Sequence, residues 1–263
     1  WPLGYTRFRL PPSNRRAMVE SRLARGGGQR AANGVGVCAI RVPAGESASL
    51  PRPPLHACAG HHGRVESPAT CFGGAMLNPE TTALLVIDMQ KDAVERLVPT
   101  GAQAVPAIAQ ALKAARTAGI TVIFGLRVHR ANGDDVERFR QAVFQEKPFL
   151  VAGTPGAEVL PELAPLPDED RIVKTRFSCF FQSDLLILLT RQGIRTLVVC
   201  GIQTPNCVRG TVTDALAYDF DVVLLDDAIR AMSPEVHAAN MYDMVQMGAT
   251  SMTTAQFVSS LVH

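Results

Sequence analysis

No apolar run in this 263-residue chain reaches the roughly 20 residues needed to span a bilayer, so no membrane-embedded helix is expected. Cysteine is sparse and unpatterned. Cys38, Cys58, Cys71, Cys179, Cys200 and Cys207 form no CxxC and no zinc-ribbon spacing. That argues against a disulfide scaffold and for free thiols in a reducing compartment. There is no Walker loop, no GxGxxG after a strand and no internal repeat. Lysine is missing from the first 75 residues, which hold ten Arg, three Glu and no Asp, a charge of about +7. The remainder holds 16 basic and 21 acidic residues, about −5. A mildly acidic body carries no nucleic-acid footprint. At 47% hydrophobic residues, the chain has enough apolar material for a sizeable core.

Residues 1–75 are rich in Arg, Gly, Pro, Ala and Ser, with Pro11-Pro12, Pro53-Pro54 and Gly26-Gly27-Gly28, and hold no sustained periodicity. This composition resembles an organelle transit peptide, for plastid or mitochondrion. The plainer readings are a disordered tail or a mispredicted upstream exon, and without a transit peptide the protein is expected in the cytoplasm. Met76-Leu77-Asn78-Pro79-Glu80 suits the start of a compact domain, which divides the chain into 1–75 and 76–263.

The second part alternates strand and helix. Thr82-Ala83-Leu84-Leu85-Val86-Ile87 is continuously apolar and reads as a strand buried on both faces. A helix is predicted over 102–118, closed by Gly119, followed by the strand Ile120-Thr121-Val122-Ile123-Phe124. Residues 134–144 read as an irregular helix. Five prolines in 148–170 predict extended loops with at most a short helix near 157–163. Arg171-Ile172-Val173-Lys174 is a short strand. Residues 183–192 read as a helix with Leu185, Leu186, Leu188 and Leu189 inward. The strand Thr196-Leu197-Val198-Val199-Cys200 leads through a Gly201 turn into a helix carrying Cys207. Asp221-Val222-Val223-Leu224-Leu225 is a fifth strand. Ser233, with Pro234 behind it, caps a helix that runs to about Met247. Residues 249–253 form a short sixth strand. This order predicts a three-layer α/β/α fold on a mostly parallel sheet of about six strands, Rossmann-like. Ligands bind such sheets beyond the carboxyl ends of the strands.

Asp88, Lys174 and Cys207 stand at or just past strand ends. Each has a plain reading: a turn carboxylate, an exposed edge lysine and a small buried thiol. Cys200, inside a strand, and Cys179, among Phe177, Phe180 and Phe181, fit that last description. Together the three make a coherent site. A carboxylate accepts the proton of a thiol, and a lysine keeps the carboxylate ionised. Cys207 lies in the first turn of its helix, where unpaired N–H groups and the helix dipole favour thiolate over thiol and are placed to receive an oxyanion.

Three motifs carry a resemblance. Leu85-Val86-Ile87-Asp88-Met89-Gln90-Lys91-Asp92, Lys174-Thr175-Arg176-Phe177-Ser178-Cys179-Phe180-Phe181 and Gly201-Ile202-Gln203-Thr204-Pro205-Asn206-Cys207-Val208 resemble, in order, those of the isochorismatase-like cysteine hydrolases. The likeness covers about residues 80–255. Arg127-Val128-His129, Gly133-Asp134-Asp135-Val136-Glu137 and His237-Ala238-Ala239-Asn240 are similar to plant members labelled "probable inactive nicotinamidase". The resemblance implies Asp88 as general base, Cys207 as nucleophile and Lys174 between them. It implies a cis Ile202–Gln203 peptide, and an oxyanion hole made by the backbone N–H groups of Gln203 and Cys207. It implies a thioacyl intermediate and a homo-oligomer, dimer or tetramer, with 177–189 near its interface.

Nicotinamidases of the family carry an Asp-x-His zinc site after the second strand. Here that stretch is Leu126-Arg127-Val128-His129-Arg130-Ala131-Asn132, with one His, no preceding Asp and two arginines that repel a cation. No metal and no cofactor are expected. Isochorismatases that cleave a vinyl ether lack the cysteine. The expected reaction is therefore hydrolysis of a C–N bond in a small amide, ureido or carbamoyl compound. Arg127, His129 and Arg176 are candidates to hold a substrate carboxylate or carbonyl. Phe177 and Thr204 are candidates to contact the substrate. The alternatives are a catalytically silent member that binds a metabolite or partner, and an isochorismate-type hydrolase without covalent catalysis.

Overall fold

The computed structural model describes residues 77–261. The expectations for residues 1–75 lie outside them. Among the described residues, no helix is long and apolar enough to cross a membrane.

Six strands form one sheet: β1 Thr82–Ile87, β2 Thr121–Arg127, β3 Asp170–Lys174, β4 Thr196–Ile202, β5 Asp221–Arg230 and β6 Thr250–Met252. Their spatial order is β3-β2-β1-β4-β5-β6, and every pairing is parallel. The chain winds outward in one direction from β1 and in the other from β4. A crevice therefore opens between these two strands at their carboxyl ends.

The continuous apolar character of β1 follows from its central place. Leu84 and Val86 enter one core, while Ala83, Leu85 and Ile87 enter the other. On the first face lie α1 Val105–Thr117 and α6 Thr254–Ser259, which bury Ile108, Leu112, Ala115 and Phe257. The short α2 Gln141–Glu146 adds Phe144. The second face carries α3 Leu185–Arg191, α4 Arg209–Ala217 and α5 Pro234–Gln246, which bury Leu185, Leu189, Val212, Ala215, Met241 and Met244. This is the expected three-layer α/β/α arrangement. Each buried Val, Leu, Ile, Phe or Met among them stabilises the fold by about 1.5–3 kcal/mol.

Several elements depart from expectation. The segment before α1 is a tighter turn, Pro99–Ala104, so the α-helix starts at Val105 rather than at residue 102. Residues 134–144 hold no continuous helix. The Asp135 carboxylate accepts from Arg130 N, tying these residues into a loop, and the helix forms only at Gln141. Near 157–163 there are two single turns, Pro155–Ala157 and Pro161–Leu163. Val159 between them is extended and bridges to Gln90. In α3, Leu185 and Leu189 are buried, four residues apart on one face, while Leu186 and Leu188 are only half-buried. β5 continues to Arg230, and α6 was not foreseen although Thr253 and Gln256 form a capping box for it. Ser233 caps α5 as expected, accepting from Val236 N.

Candidate active site

The first four strands each deliver a polar side chain to the same end of the sheet. Asp88 follows β1 in a left-handed conformation, φ 54°, and its N–H donates to the Gly125 carbonyl at 2.8 Å. Lys174 closes β3. β3 is an edge strand, yet Lys174 is only 2% exposed, because its side chain runs inward rather than to solvent. Its Nζ donates to Asp88 Oδ2 at 2.8 Å and to the Arg176 carbonyl at 3.3 Å. Arg127 closes β2, paired in register with Lys174.

Cys207 comes from the turn after β4. Gly201 has φ 114°, and a Cβ there would run into the carbonyl oxygen of Ile87. Only glycine lets β4 lie this close to β1 in that conformation. The Ile202–Gln203 peptide is cis. A wide turn, Thr204–Val208, then merges with α4, and the Thr211 hydroxyl donates to the Cys207 carbonyl at 2.7 Å. Arg127 Nη2 lies 3.6 Å from Cys207 Sγ, while its Nη1 is 2.5 Å from Glu137 Oε1. Gln90 holds the Arg127 backbone on both sides. Its Oε1 accepts from Arg127 N at 2.9 Å, and its Nε2 donates to the Arg127 carbonyl at 2.8 Å. The first motif therefore supplies both Asp88 and the clamp that places Arg127.

The charges compete. Burial pushes the Cys207 thiol up, and so does the charge of Asp88; Lys174 and Arg127 pull it down without prevailing. The net effect raises the Cys207 pKa, opposite to the direction expected from the helix dipole. Desolvation at this depth outweighs a half-charge dipole. The second Asp88 oxygen, Oδ1, is buried with no hydrogen-bond partner. Burial opposes the charge on Lys174, but Asp88 and Cys207 hold its pKa above the usual lysine value. Burial likewise opposes the charge of Glu137, and Arg127 overcomes it and keeps the carboxyl below its ordinary range. Burial pushes Cys179 up to about 12 and raises Cys200 as well, so both remain inert thiols.

A cavity of about 350 Å³ opens over this cluster. Asp88, Arg127, Gln203, Asn206 and Cys207 form its polar floor, and Arg140 joins them. Leu97, Val98, Val143, Phe149 and Leu150 form apolar walls. Of the predicted substrate contacts, Arg127 lines it. The other four do not, and each is engaged elsewhere. His129 is buried edge-on to Phe144 and Phe149, and burial followed by the charge of Arg127 lowers its pKa. Arg176 Nη1 donates to the Asp135 and Thr175 carbonyls at 2.6 and 2.9 Å. Phe177 lies beneath the guanidinium groups of Arg127 and Arg140. Thr204 Oγ1 is 3.0 Å from His237 Nδ1, whose Nε2 is 2.9 Å from Asp226 Oδ1. Sequence reasoning missed Arg140 and Glu137 as parts of the site. Nothing in the local sequence separates Arg140 from its neighbours Arg130 and Arg138. Among the described residues, no group of three or more His, Cys, Asp or Glu side chains could hold a metal ion.

Comparison with known proteins places these features in a group. The family model described as the isochorismatase domain matches residues 82–256. A protein of Arabidopsis thaliana named "Probable inactive nicotinamidase" is 41% identical over 188 residues, covering 68% of this chain and 96% of its own. A ureidoacrylate amidohydrolase of Azorhizobium caulinodans is 30% identical over 204 residues, covering 68% of this chain and 89% of its own. The crystal structure of an isochorismatase family protein from Desulfovibrio vulgaris superposes with a TM-score of 0.66 at 43% identity, covering 70% of this chain and 99% of that one. With a matching family model over most of the described residues and the same parallel sheet, this chain belongs to the isochorismatase-like hydrolase family.

Proposed function

We propose that this protein hydrolyses a C–N bond in a small amide, ureido or carbamoyl compound, with Cys207 as nucleophile, Asp88 as proton acceptor and donor, and Lys174 as the cation paired with Asp88. One observation carries the reading. Asp88 gives one oxygen to Lys174 at 2.8 Å and keeps the other buried and unpartnered, in a cavity that also holds Cys207. A buried acceptor without a donor costs about 1–3 kcal/mol. Accepting the thiol proton removes that cost during the reaction.

The steps follow from the positions. Cys207 Sγ attacks the substrate carbonyl carbon as its proton passes to Asp88. Arg127, 3.6 Å from the sulfur, stabilises negative charge there as it develops. The backbone N–H groups of Gln203 and Cys207, two residues that line the cavity, receive the carbonyl oxygen. Collapse of the tetrahedral adduct breaks the C–N bond, and the proton on Asp88 leaves with ammonia or the amine. A water molecule then gives its proton to Asp88 and attacks the thioacyl carbon, and the proton returns to sulfur. The ureidoacrylate amidohydrolase among the relatives supports a ureido or carbamoyl substrate.

The test is an ammonia-release screen over small amides, ureido acids and carbamoyl compounds, with the Cys207→Ala protein as control. Turnover by the native protein, absence of turnover by the variant, and a Cys207 adduct in the intact mass after acid quenching are expected. Turnover that survives Cys207→Ala would sink covalent catalysis.

A further inference from the structure

Among the described residues, Arg140 is the cavity-lining cation that neither the reaction above nor the fold accounts for. Arg127 is matched by Glu137 at 2.5 Å, and Lys174 beneath the floor is matched by Asp88 at 2.8 Å. Among the described residues, Arg140 takes part in no ion pair and its guanidinium donates no hydrogen bond to protein. It is nevertheless half-buried and held in place. Its Cζ lies 5.3 Å from the Phe139 ring centroid and 5.3 Å from that of Phe177. Arg127 Cζ is also 5.3 Å from the Phe177 centroid, so the two guanidinium groups are no farther apart than twice that distance. Burial, then the charge of Arg127, lowers the Arg140 pKa. The site thus holds a cation at an electrostatic disadvantage, with its fork of donors unused.

We infer that Arg140, braced by Phe139 and Phe177, is a seat for a carboxylate, so that the substrate is a small monoanionic acid whose scissile ureido or carbamoyl carbonyl lies over Cys207. The inference rests on the proposed hydrolase reading for the reacting end of the substrate. The seat itself is a binding claim. With Arg127 and Lys174 each paired to a carboxylate, Arg140 is left among the described residues as an unpaired positive charge at the cavity, and one carboxylate balances it. A planar guanidinium matches a carboxylate by two parallel N–H donors, which an ammonium cannot do. The cavity volume of about 350 Å³ confines the acid to a few carbons beyond the ureido group. The apolar walls formed by Leu97, Val98 and Val143 suit a hydrocarbon linker between the two polar ends.

The experiment uses two probes of the same shape, 3-ureidopropanoate and its carboxamide. On the Cys207→Ala protein, where no turnover intervenes, the acid is expected to raise Tm in a concentration-dependent way and the carboxamide to raise it less at every concentration. Arg140→Gln, and more mildly Arg140→Lys, should erase that difference. On the native protein, Arg140→Gln should lower kcat/KM for the acid by about tenfold to a hundredfold, the span expected for one charge-assisted hydrogen-bonded pair. Its loss on the carboxamide should be at least tenfold smaller. Equal stabilisation by both probes, stabilisation by neither, or a preference for the acid that survives in Arg140→Gln would overturn the seat. Absence of turnover by the protein with Cys207 and Arg140 both intact, with the binding preference for the acid present, would overturn the hydrolase reading and leave the seat standing.

Discussion

Lys174 Nζ lies 2.8 Å from Asp88 Oδ2, and the two residues come from strands that are not neighbours. β2 stands between them, so the lysine crosses a whole strand to reach the carboxylate. Both groups are buried, and Asp88 has left-handed backbone geometry. Such a pair is costly to desolvate and more costly to break.

Removing one partner should therefore destabilise more than removing both. Lys174→Met is expected to lower stability by about 3–5 kcal/mol, because it strands a buried charge. The double variant Asp88→Asn with Lys174→Met should recover most of that loss while remaining without turnover. Urea midpoints of the three proteins test this, and a double variant no more stable than Lys174→Met alone would contradict it.

The pH dependence of Cys207 should move in a direction that separates chemistry from reactivity. Burial and Asp88 raise its pKa, while Lys174 and Arg127 lower it. Replacing Asp88 by Asn removes a raising influence and leaves both cations in place. The midpoint of the iodoacetamide rate profile should fall, so that Asp88→Asn is alkylated faster than the native protein at pH 7 although it cannot turn over. Arg127→Gln should shift the midpoint upward. Peptide mapping should find the label on Cys207 and not on Cys200, which is buried inside β4.

Glu137 should contribute acid sensitivity. Its folded pKa lies below its ordinary 4.5: burial raises it, and Arg127 more than offsets that. A carboxyl with a depressed folded pKa stabilises above its unfolded value and loses that contribution as pH falls through the folded one. Tm should therefore decline on acidification below about pH 4.5, and Glu137→Gln should flatten that part of the profile while lowering Tm at neutral pH. A variant with the native slope would place the acid sensitivity on other carboxyls.

The chain from Asp226 through His237 to Thr204 should behave as one unit. Thr204 is fully buried, and its hydroxyl has His237 as partner. His237→Ala should cost about 1–3 kcal/mol, the price of stranding that hydroxyl. Thr204→Val in the His237→Ala background should cost less than in the native protein, because the interaction is already lost. Additive costs in chemical denaturation would show that the two side chains are not coupled.

Gly201→Ala is expected to be the most damaging small substitution in the site. The backbone at φ 114° disfavours any side chain, and the added methyl meets the Ile87 carbonyl. Strain of this kind costs about 1–3 kcal/mol before the clash is added. A stable, active Gly201→Ala protein would mean that β4 can move away from β1 without penalty.

The legibility of this protein divides along a physical line. Strands buried on both faces must be apolar throughout, so β1 and β4 were visible as uninterrupted runs, and α1 as a periodic segment closed by Gly119. Local chemistry also showed the Ser233 cap. Those features depend on neighbours along the chain, and they imposed the alternating fold and placed Asp88, Lys174 and Cys207 at strand ends. Residues 134–144 read wrongly because a side-chain bond from Asp135 to the backbone competed with helix formation. What the chain order could not decide was which cations turn toward the cavity and how the sulfur titrates. Arg176 and His129 were expected there, yet tertiary contacts hold them elsewhere, while Arg140 was unmarked and lines it. Arg127 and Cys207 are 80 residues apart and meet at 3.6 Å. The proton on Cys207 is governed by burial and by charges brought in from β1, β2 and β3. Desolvation and through-space charge depend on depth and distance, and these quantities exist only once the sheet has assembled.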